Sequence, residues 1–320
     1  MTGETAGIRT YAIPLRNRFR GIDVREGMLL RGPAGWGEFS PFWDYDAKTS
    51  APWLAAALEA AEDGWPEPVR DRVPVNCTVP AVPPERAAQI VRGSRGCRTA
   101  KVKVAEPGQT LDDDMARLQA VRDALGPGGR LRIDVNGHWS VDEAVHAIRR
   151  LGRFDLEYVE QPCATVEELA KVRRRVDVPI AADESIRRAD DPLRVVAHDA
   201  ADIAVLKVQP LGGVRSCLRI AEQIGLPVVV SSALETSVGI AAGLALAAAL
   251  PKLPYACGLA TVQMLQSDVV DHPLLPVDGA LEVRRPEPAA GQGDADEATR
   301  RRWADRLEQV RAVIGQDRVL

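Results

Sequence analysis

The sequence predicts an α/β protein, a (β/α)7β barrel carrying an α+β cap. Three observations point there. A strand–turn–helix unit repeats from Val73 onward, the stretch before it has a different texture, and charged residues recur at the ends of the predicted strands. Short apolar strands alternating with helical patterns make βαβ units and a parallel sheet.

In chain order, residues 15–21 (LRNRFRG) and 28–41 (MLLRGPAGWGEFSP) read as antiparallel strands joined by a Gly/Pro turn, and 51–64 as a helix. Eight candidate strands follow: VPVNCTV from Val73, TAKVKVA from Thr99, RLRIDVN from Arg130, LEYVEQ from Leu156, VPIAADE from Val178, DIAVLKV from Asp202, LPVVVSS from Leu226 and YACGLA from Tyr255. Between them lie seven helical segments, among them LDDDMARLQAVRDAL, SVDEAVHAIRRL, TVEELAKVRRRV and VRSCLRIAEQIG. An open, doubly wound sheet is the alternative. It would show a G-x-G-x-x-G opening a helix or a topological switch point, and neither is present. GPGGR at 126–130 follows a helix and precedes a strand, so it reads as a C-cap and turn. Residues 272–283 read as a short β return, then a Pro/Gly-rich linker leads to a final helix at 299–314. The expected division is 1–72 for the N-terminal part of the cap and 73–262 for the barrel. Residues 263–320 would supply the return to the cap, the linker and the last helix.

The 320 residues carry 41 basic and 45 acidic side chains, a net charge of −4, without the basic excess of a nucleic-acid binder. The hydrophobic content of 46% excludes global disorder. The longest uncharged apolar stretch, 239–250, is far short of the roughly 20 residues of a membrane helix. MTGETAGIRT has no basic segment leading into an apolar one, so no secretory signal is read. A soluble cytoplasmic protein is expected, with no nucleic-acid, membrane or obligate protein partner. Five cysteines, odd in number and never spaced C-x-x-C, argue against a disulfide framework or a zinc site.

Charges in strands this apolar need a reason, because an unpaired buried charge is costly. They are Lys101, Lys103, Asp134, Glu160, Asp183 and Lys207, each at or near a strand's C-terminal end. In a (β/α) barrel those ends converge on one mouth, where catalytic groups sit. Asp134, Glu160 and Asp183 come from three consecutive strands and would repel one another unless a cation held them. All-oxygen ligation favours Mg²⁺, or Mn²⁺ in its place, over zinc. The plainer reading is three separate salt bridges. Lys101 and Lys103, two apart in a strand, point to one side and are expected to depress each other's pKa. A lysine so tuned is a general base, and Lys207 approaches from the sixth strand, opposite the second.

Together K-x-K, D-V-N (Asp134 to Asn136), V-E-Q-P (Val159 to Pro162), A-D-E-S (Ala182 to Ser185) and the sixth-strand lysine resemble the enolase superfamily, muconate-lactonising subgroup. GWGEFSP (Gly35 to Pro41) is similar to the capping hairpin that precedes such a barrel. The resemblance implies a TIM-like barrel, Asp134, Glu160 and Asp183 as Mg²⁺ ligands, Lys103 and Lys207 as acid/base lysines, and Lys101 beside the substrate carboxylate. Superfamily members of this kind pair a Lys or His base with Mg²⁺. Within the subgroup, SSALETS (Ser231 to Ser237) and CGLAT (Cys257 to Thr261) resemble the o-succinylbenzoate synthase pattern, with Ser231, Ser232, Gly258 and Leu259 expected at the substrate. The R-x-R-x-R stretch (Arg16, Arg18, Arg20) resembles the actinobacterial type. The resemblance implies a lyase that dehydrates 2-succinyl-6-hydroxy-2,4-cyclohexadiene-1-carboxylate to 2-succinylbenzoate in menaquinone biosynthesis.

Other readings stay open. An N-succinylamino acid racemase shares the fold, base pair and succinyl-bearing substrate, and a non-catalytic barrel scaffold is a further alternative. Dipeptide epimerases usually carry D-x-D on the eighth strand, where this chain has CGLAT. SSALETS also reads as a helix N-terminus, a Ser/Thr cap before an apolar run. His138 and Trp139 read as rim packing, and Cys163 and Cys257 as small hydrophobes. The three arginines read either as a loop closing over substrate or as a solvated cap surface.

Overall fold

The computed structural model describes residues 7–188 and 191–317. The chain opens on an antiparallel sheet, β1 (Ile8–Phe19), β2 (Ile22–Gly32) and β3 (Gly35–Phe39). β1 begins earlier than the sequence suggests, because Tyr11, Ile13 and Leu15 alternate inward and extend the strand back. α1 (Ala47–Leu58) also starts early: Asp46 caps it, its carboxylate accepting from the Thr49 N–H at 2.7 Å. Gly37 of β3 lies so close to α1 that a Cβ there would stand 1.9 Å from the Ala57 carbonyl oxygen, which fixes the second glycine of GWGEF.

The barrel follows: β4 (Arg72–Pro74), β5 (Cys77–Val79), α2 (Pro84–Arg92), β6 (Thr99–Lys103), α3 (Leu111–Leu125), β7 (Arg130–Asp134), α4 (Val141–Leu151), β8 (Leu156–Glu160), α5 (Val166–Arg173), β9 (Ile180–Ala182), α6 (Glu184–Arg187), α7 (Arg194–Ala197), β10 (Ile203–Leu206), α8 (Val214–Ile224), β11 (Val228–Val230) and α9 (Ser237–Ala249). Strands β5 to β11 form one parallel sheet in sequence order. The expected eighth strand shrinks to two parallel bridges, Val75 with Cys257 and Ser231 with Gly258. These still join the first strand to the seventh and close the barrel. The segment has no length for more, since it runs straight into a 3₁₀ turn at Ala260–Met264. The apolar stretch around 239–250 is α9, buried on every side. Among the described residues no helix is long and apolar enough to cross a membrane.

The β return shortens to β12 (Ala280–Glu282), which pairs antiparallel with β4 and sets Leu281 opposite Val73. It therefore seals the foot of the barrel. The final helix α10 (Glu297–Asp317) returns to the cap core beside Met264, Leu265, Val269 and Val270 of the same C-terminal segment, and there Trp303 meets Phe39 edge to face.

One buried polar latch docks the cap on the barrel. The Glu38 carboxylate accepts from the N–H groups of Thr236 and Gly239 at the start of α9, both at 3.1 Å, and from Tyr11 Oη at 2.8 Å. This is a carboxylate at a helix N-terminus, a favourable pairing with the dipole. Beside it Glu235 is pushed up to about 7, by burial first and by the Glu38 charge second. A carboxyl whose folded pKa exceeds its unfolded value near 4.5 stabilises the fold at low pH. That contribution, up to roughly 3 kcal/mol, is lost as pH rises from 4.5 through 7. Glu235→Gln is expected to match the parent at pH 5 and to exceed it in stability at pH 8. Denaturant midpoints of the two proteins across that range check this, and parallel profiles would contradict it.

Candidate active site

Parallel register builds the site. Lys103 pairs with Asp134, and Asp134 with Glu160, while Asp183 follows the end of β9. Residues two apart on a strand share a face, so Lys101 and Lys103 both turn into the barrel mouth. Lys101 Nζ sits 3.0 Å from Asp134 Oδ2 and 2.7 Å from Glu160 Oε1, bridging two strands. Lys103 Nζ donates to Asp134 Oδ2 at 2.7 Å and to Asn136 Oδ1. Lys207, four strands round the barrel from Lys103, donates to Asp183 Oδ2 at 2.6 Å. Arg187 Nε takes the other oxygen of Asp183 at 2.9 Å. The three carboxylates are at most 1% exposed.

The electrostatics follow from this packing. Burial raises Asp134 and Asp183, but their cations win: Lys101 and Lys103 hold Asp134 well below the usual carboxylate range, and Arg187 and Lys207 do the same for Asp183. Glu160 is pushed up to about 7 by burial and then by the Asp134 charge. Lys101 departs from the sequence expectation. Burial lowers its pKa, yet Asp134 and Glu160 raise it well above the ordinary value, because carboxylates rather than Lys103 face its ammonium group.

A cavity of about 650 Å³ opens above this layer. Lys101, Lys103, Asp134 and Lys207 form its floor; Ser231, Ser232, Gly258 and Thr261 one wall; Phe19, Arg20 and Tyr45 the cap side. Ser232 Oγ and Thr261 Oγ1 are 2.7 Å apart. Leu259 is buried against Gly243 of α9 and is not part of the lining. Of the three arginines, Arg18 and Arg20 reach the cavity mouth, Arg20 stacked on Phe42 and paired with Asp44 at 3.0 Å. Arg16 is tied instead to the Leu265 carbonyl at 2.9 Å. His138 stands at the rim, its Nδ1 3.1 Å from the Ala105 carbonyl oxygen, and Trp139 packs partly buried against the barrel core. All five cysteines are free and buried. Burial pushes the Cys163 and Cys257 thiols up to about 12 and about 11.

Sequence reasoning gave no role to Asn136, Glu184, Arg187, Tyr45 or Thr261. Arg187 had a legible signal, standing four residues after Asp183 at helical spacing. Tyr45, which accepts from Arg187 at 3.1 Å, comes from the cap and had none.

The donor chemistry fits a divalent cation. Among the described residues no trio of acidic, His or Cys side chains converges on one point as they stand, because lysine ammonium groups fill the space between them. Yet Asp134 and Glu160 already grip one shared cation, Asp183 projects from the next strand, and every ligand atom is a hard oxygen. Glu184 Oε2, at the same cavity, is buried with no hydrogen-bond partner among the described residues.

Known proteins resemble this chain over most of its length. The enolase C-terminal domain-like family model matches residues 85–295, and the enolase N-terminal domain-like model matches residues 10–61. The chain is 68% identical over 308 residues to an o-succinylbenzoate synthase of Thermobifida fusca, covering 96% of this chain and 97% of that one. It is 56% identical over 311 residues to an o-succinylbenzoate synthase of Mycolicibacterium smegmatis, 96% of each chain. Among solved structures it resembles the L-Ala-D/L-Glu epimerase of Bacillus subtilis, at TM-score 0.75 and 25% identity over 90% of this chain and 98% of the other. It also resembles the muconate lactonizing enzyme of Pseudomonas fluorescens, at TM-score 0.75 and 22% identity over 93% and 97%.

Proposed function

The chain belongs to the o-succinylbenzoate synthase family of the enolase superfamily, and from that premise we infer how its own residues carry out the reaction. The function is dehydration of 2-succinyl-6-hydroxy-2,4-cyclohexadiene-1-carboxylate to 2-succinylbenzoate, a step of menaquinone biosynthesis. The observation that carries this reading is 68% identity over nearly the whole length of a synthase, in a chain that brings all six predicted charges to one barrel mouth.

Members of the superfamily use a divalent metal. Here Mg²⁺, which Mn²⁺ can replace, would be held by Asp134, Glu160 and Asp183. Bound there it would stabilise negative charge developing on the substrate carboxylate. Lys101 lies beside that carboxylate. Lys103, as the free amine, takes the proton α to the carboxylate onto Nζ. It then returns that proton to the departing hydroxyl, so the C–H and C–O bonds break and water leaves. Loss on one face lets a single lysine do both jobs. Lys207 stays charged on the opposite side, held by Asp183, and stabilises the anionic intermediate by its charge and by contact with the ring face. Ser231 and Ser232 offer hydroxyl donors to the substrate, with Gly258 beside them in the wall.

Parallel steady-state assays with the cyclohexadiene substrate and with N-succinyl amino acids test this. A kcat/KM that favours dehydration supports the synthase reading, whereas one that favours racemisation moves the function to the isomerase. The serine wall gives a separate prediction. A Cβ on Gly258 would lie 2.5 Å from Ser231 Oγ, so Gly258→Ala must push Ser231 aside. It is expected to raise KM roughly tenfold with a smaller change in kcat. An unchanged KM in steady-state kinetics would place the substrate away from this wall.

A further inference from the structure

The inner face of α3 carries an oddity. Alongside Leu118 and Val121 it buries a charged pair, Asp114 and Arg117, each 2% exposed. Such a pair is seldom more stabilising than well-packed apolar side chains of the same volume, so its retention asks what else it does. Its bonds answer. Asp114 Oδ1 meets Arg117 Nη1 at 2.7 Å, and that Nη1 also donates to the carbonyl oxygen of Lys103 at 3.0 Å. Asp114 Oδ2 accepts from the Ala105 N–H at 2.9 Å. Arg117 Nε donates to the Val82 carbonyl at 2.8 Å, and Nη2 to Gln109.

The pair therefore grips the backbone on both sides of the turn that follows Lys103. Ala105 has φ of +58°, a left-handed conformation that a residue with a Cβ adopts only when its surroundings impose it. The Asp114 carboxylate is what meets its N–H. The Lys103 carbonyl lies in the peptide plane that fixes the direction of the Lys103 Cα–Cβ bond, and Arg117 pins that plane.

We propose that Asp114 and Arg117 are positioning residues that aim Lys103 Nζ at the reacting carbon. The proposal rests on the reading that Lys103 moves the proton. Neither residue touches Asp134, Glu160, Asp183 or Lys207 among the described contacts, so the device acts on one arm of the site only.

The test uses the full chain with Mg²⁺ and the cyclohexadiene substrate, comparing the parent with Arg117→Met, Arg117→Lys, Asp114→Asn and Lys103→Ala. In folded Arg117→Met and Asp114→Asn, kcat is expected to fall about 100-fold, with KM and Mg²⁺ affinity within about twofold of the parent. The deuterium isotope effect on kcat, with label at the reacting carbon, rises in both because proton transfer becomes limiting. Arg117→Lys recovers part of the loss by restoring one donor to the Lys103 carbonyl. A purely structural role would lower the unfolding midpoint and leave the isotope effect and the kcat-to-KM split where they were. That result, or kcat within about threefold of the parent in both folded variants, overturns the proposal. If Arg117→Met fails to fold, Asp114→Asn decides alone. Turnover that survives in Lys103→Ala instead overturns the reading beneath it, and the two failures are distinguishable.

Discussion

Lys103→Ala is expected to abolish dehydration while leaving the barrel folded. Removing a positioned acid/base group costs about 10²–10⁴-fold, and here one amine both takes the proton and returns it, so the upper end of that range applies. The variant leaves Lys101 between Asp134 and Glu160, and Lys207 on Asp183, so the buried carboxylates keep cations in the metal-free protein. Its unfolding midpoint is expected near the parent's. Stopped-flow or steady-state loss of the diene absorbance measures the effect. Appreciable turnover would show that another group takes the proton, with Lys207 the first to examine.

The second large effect belongs to the carboxylates. Glu160→Gln keeps the volume and one acceptor for Lys101 but removes a negative ligand atom from the proposed cation site. Mg²⁺ affinity is expected to fall by more than about 100-fold, beyond the cost of losing an outer partner. Dehydration falls with it. The substitution also removes a carboxyl that burial pushes up to about 7, so the metal-free protein is not expected to lose stability through Glu160 itself. Calorimetric Mg²⁺ titration of parent and variant checks this. Equal affinities would exclude Glu160 as a ligand.

The sequence discloses the barrel because buried parallel strands are short apolar runs, and any charge at their ends stands out. That is why Lys101, Lys103, Asp134, Glu160, Asp183 and Lys207 are legible from order and spacing alone. The helices are legible as helical patterns: SVDEAVHAIRRL and TVEELAKVRRRV become α4 and α5, and the structure shows Ser140 and Thr165 capping them. Other features depend on groups far away in the chain. The early start of β1 depends on pairing with β2, and β12 is selected by β4, some 200 residues before it. Leu259 reads as a wall residue by position, but α9 has a glycine opposite it and draws it into the core. Asp114 and Arg117 look like the solvated face of an amphipathic helix. Only the fold shows that their partners are the backbone groups around Lys103.

The central claim is cation-dependent dehydration at this barrel mouth. Its most direct measurement is loss of the ultraviolet absorbance of the cyclohexadiene substrate on mixing with the purified protein and Mg²⁺, repeated after chelation. Fast conversion to 2-succinylbenzoate that stops with chelator and returns with added Mg²⁺ is the predicted result. No conversion with Mg²⁺ present, or conversion indifferent to chelation, would contradict the account.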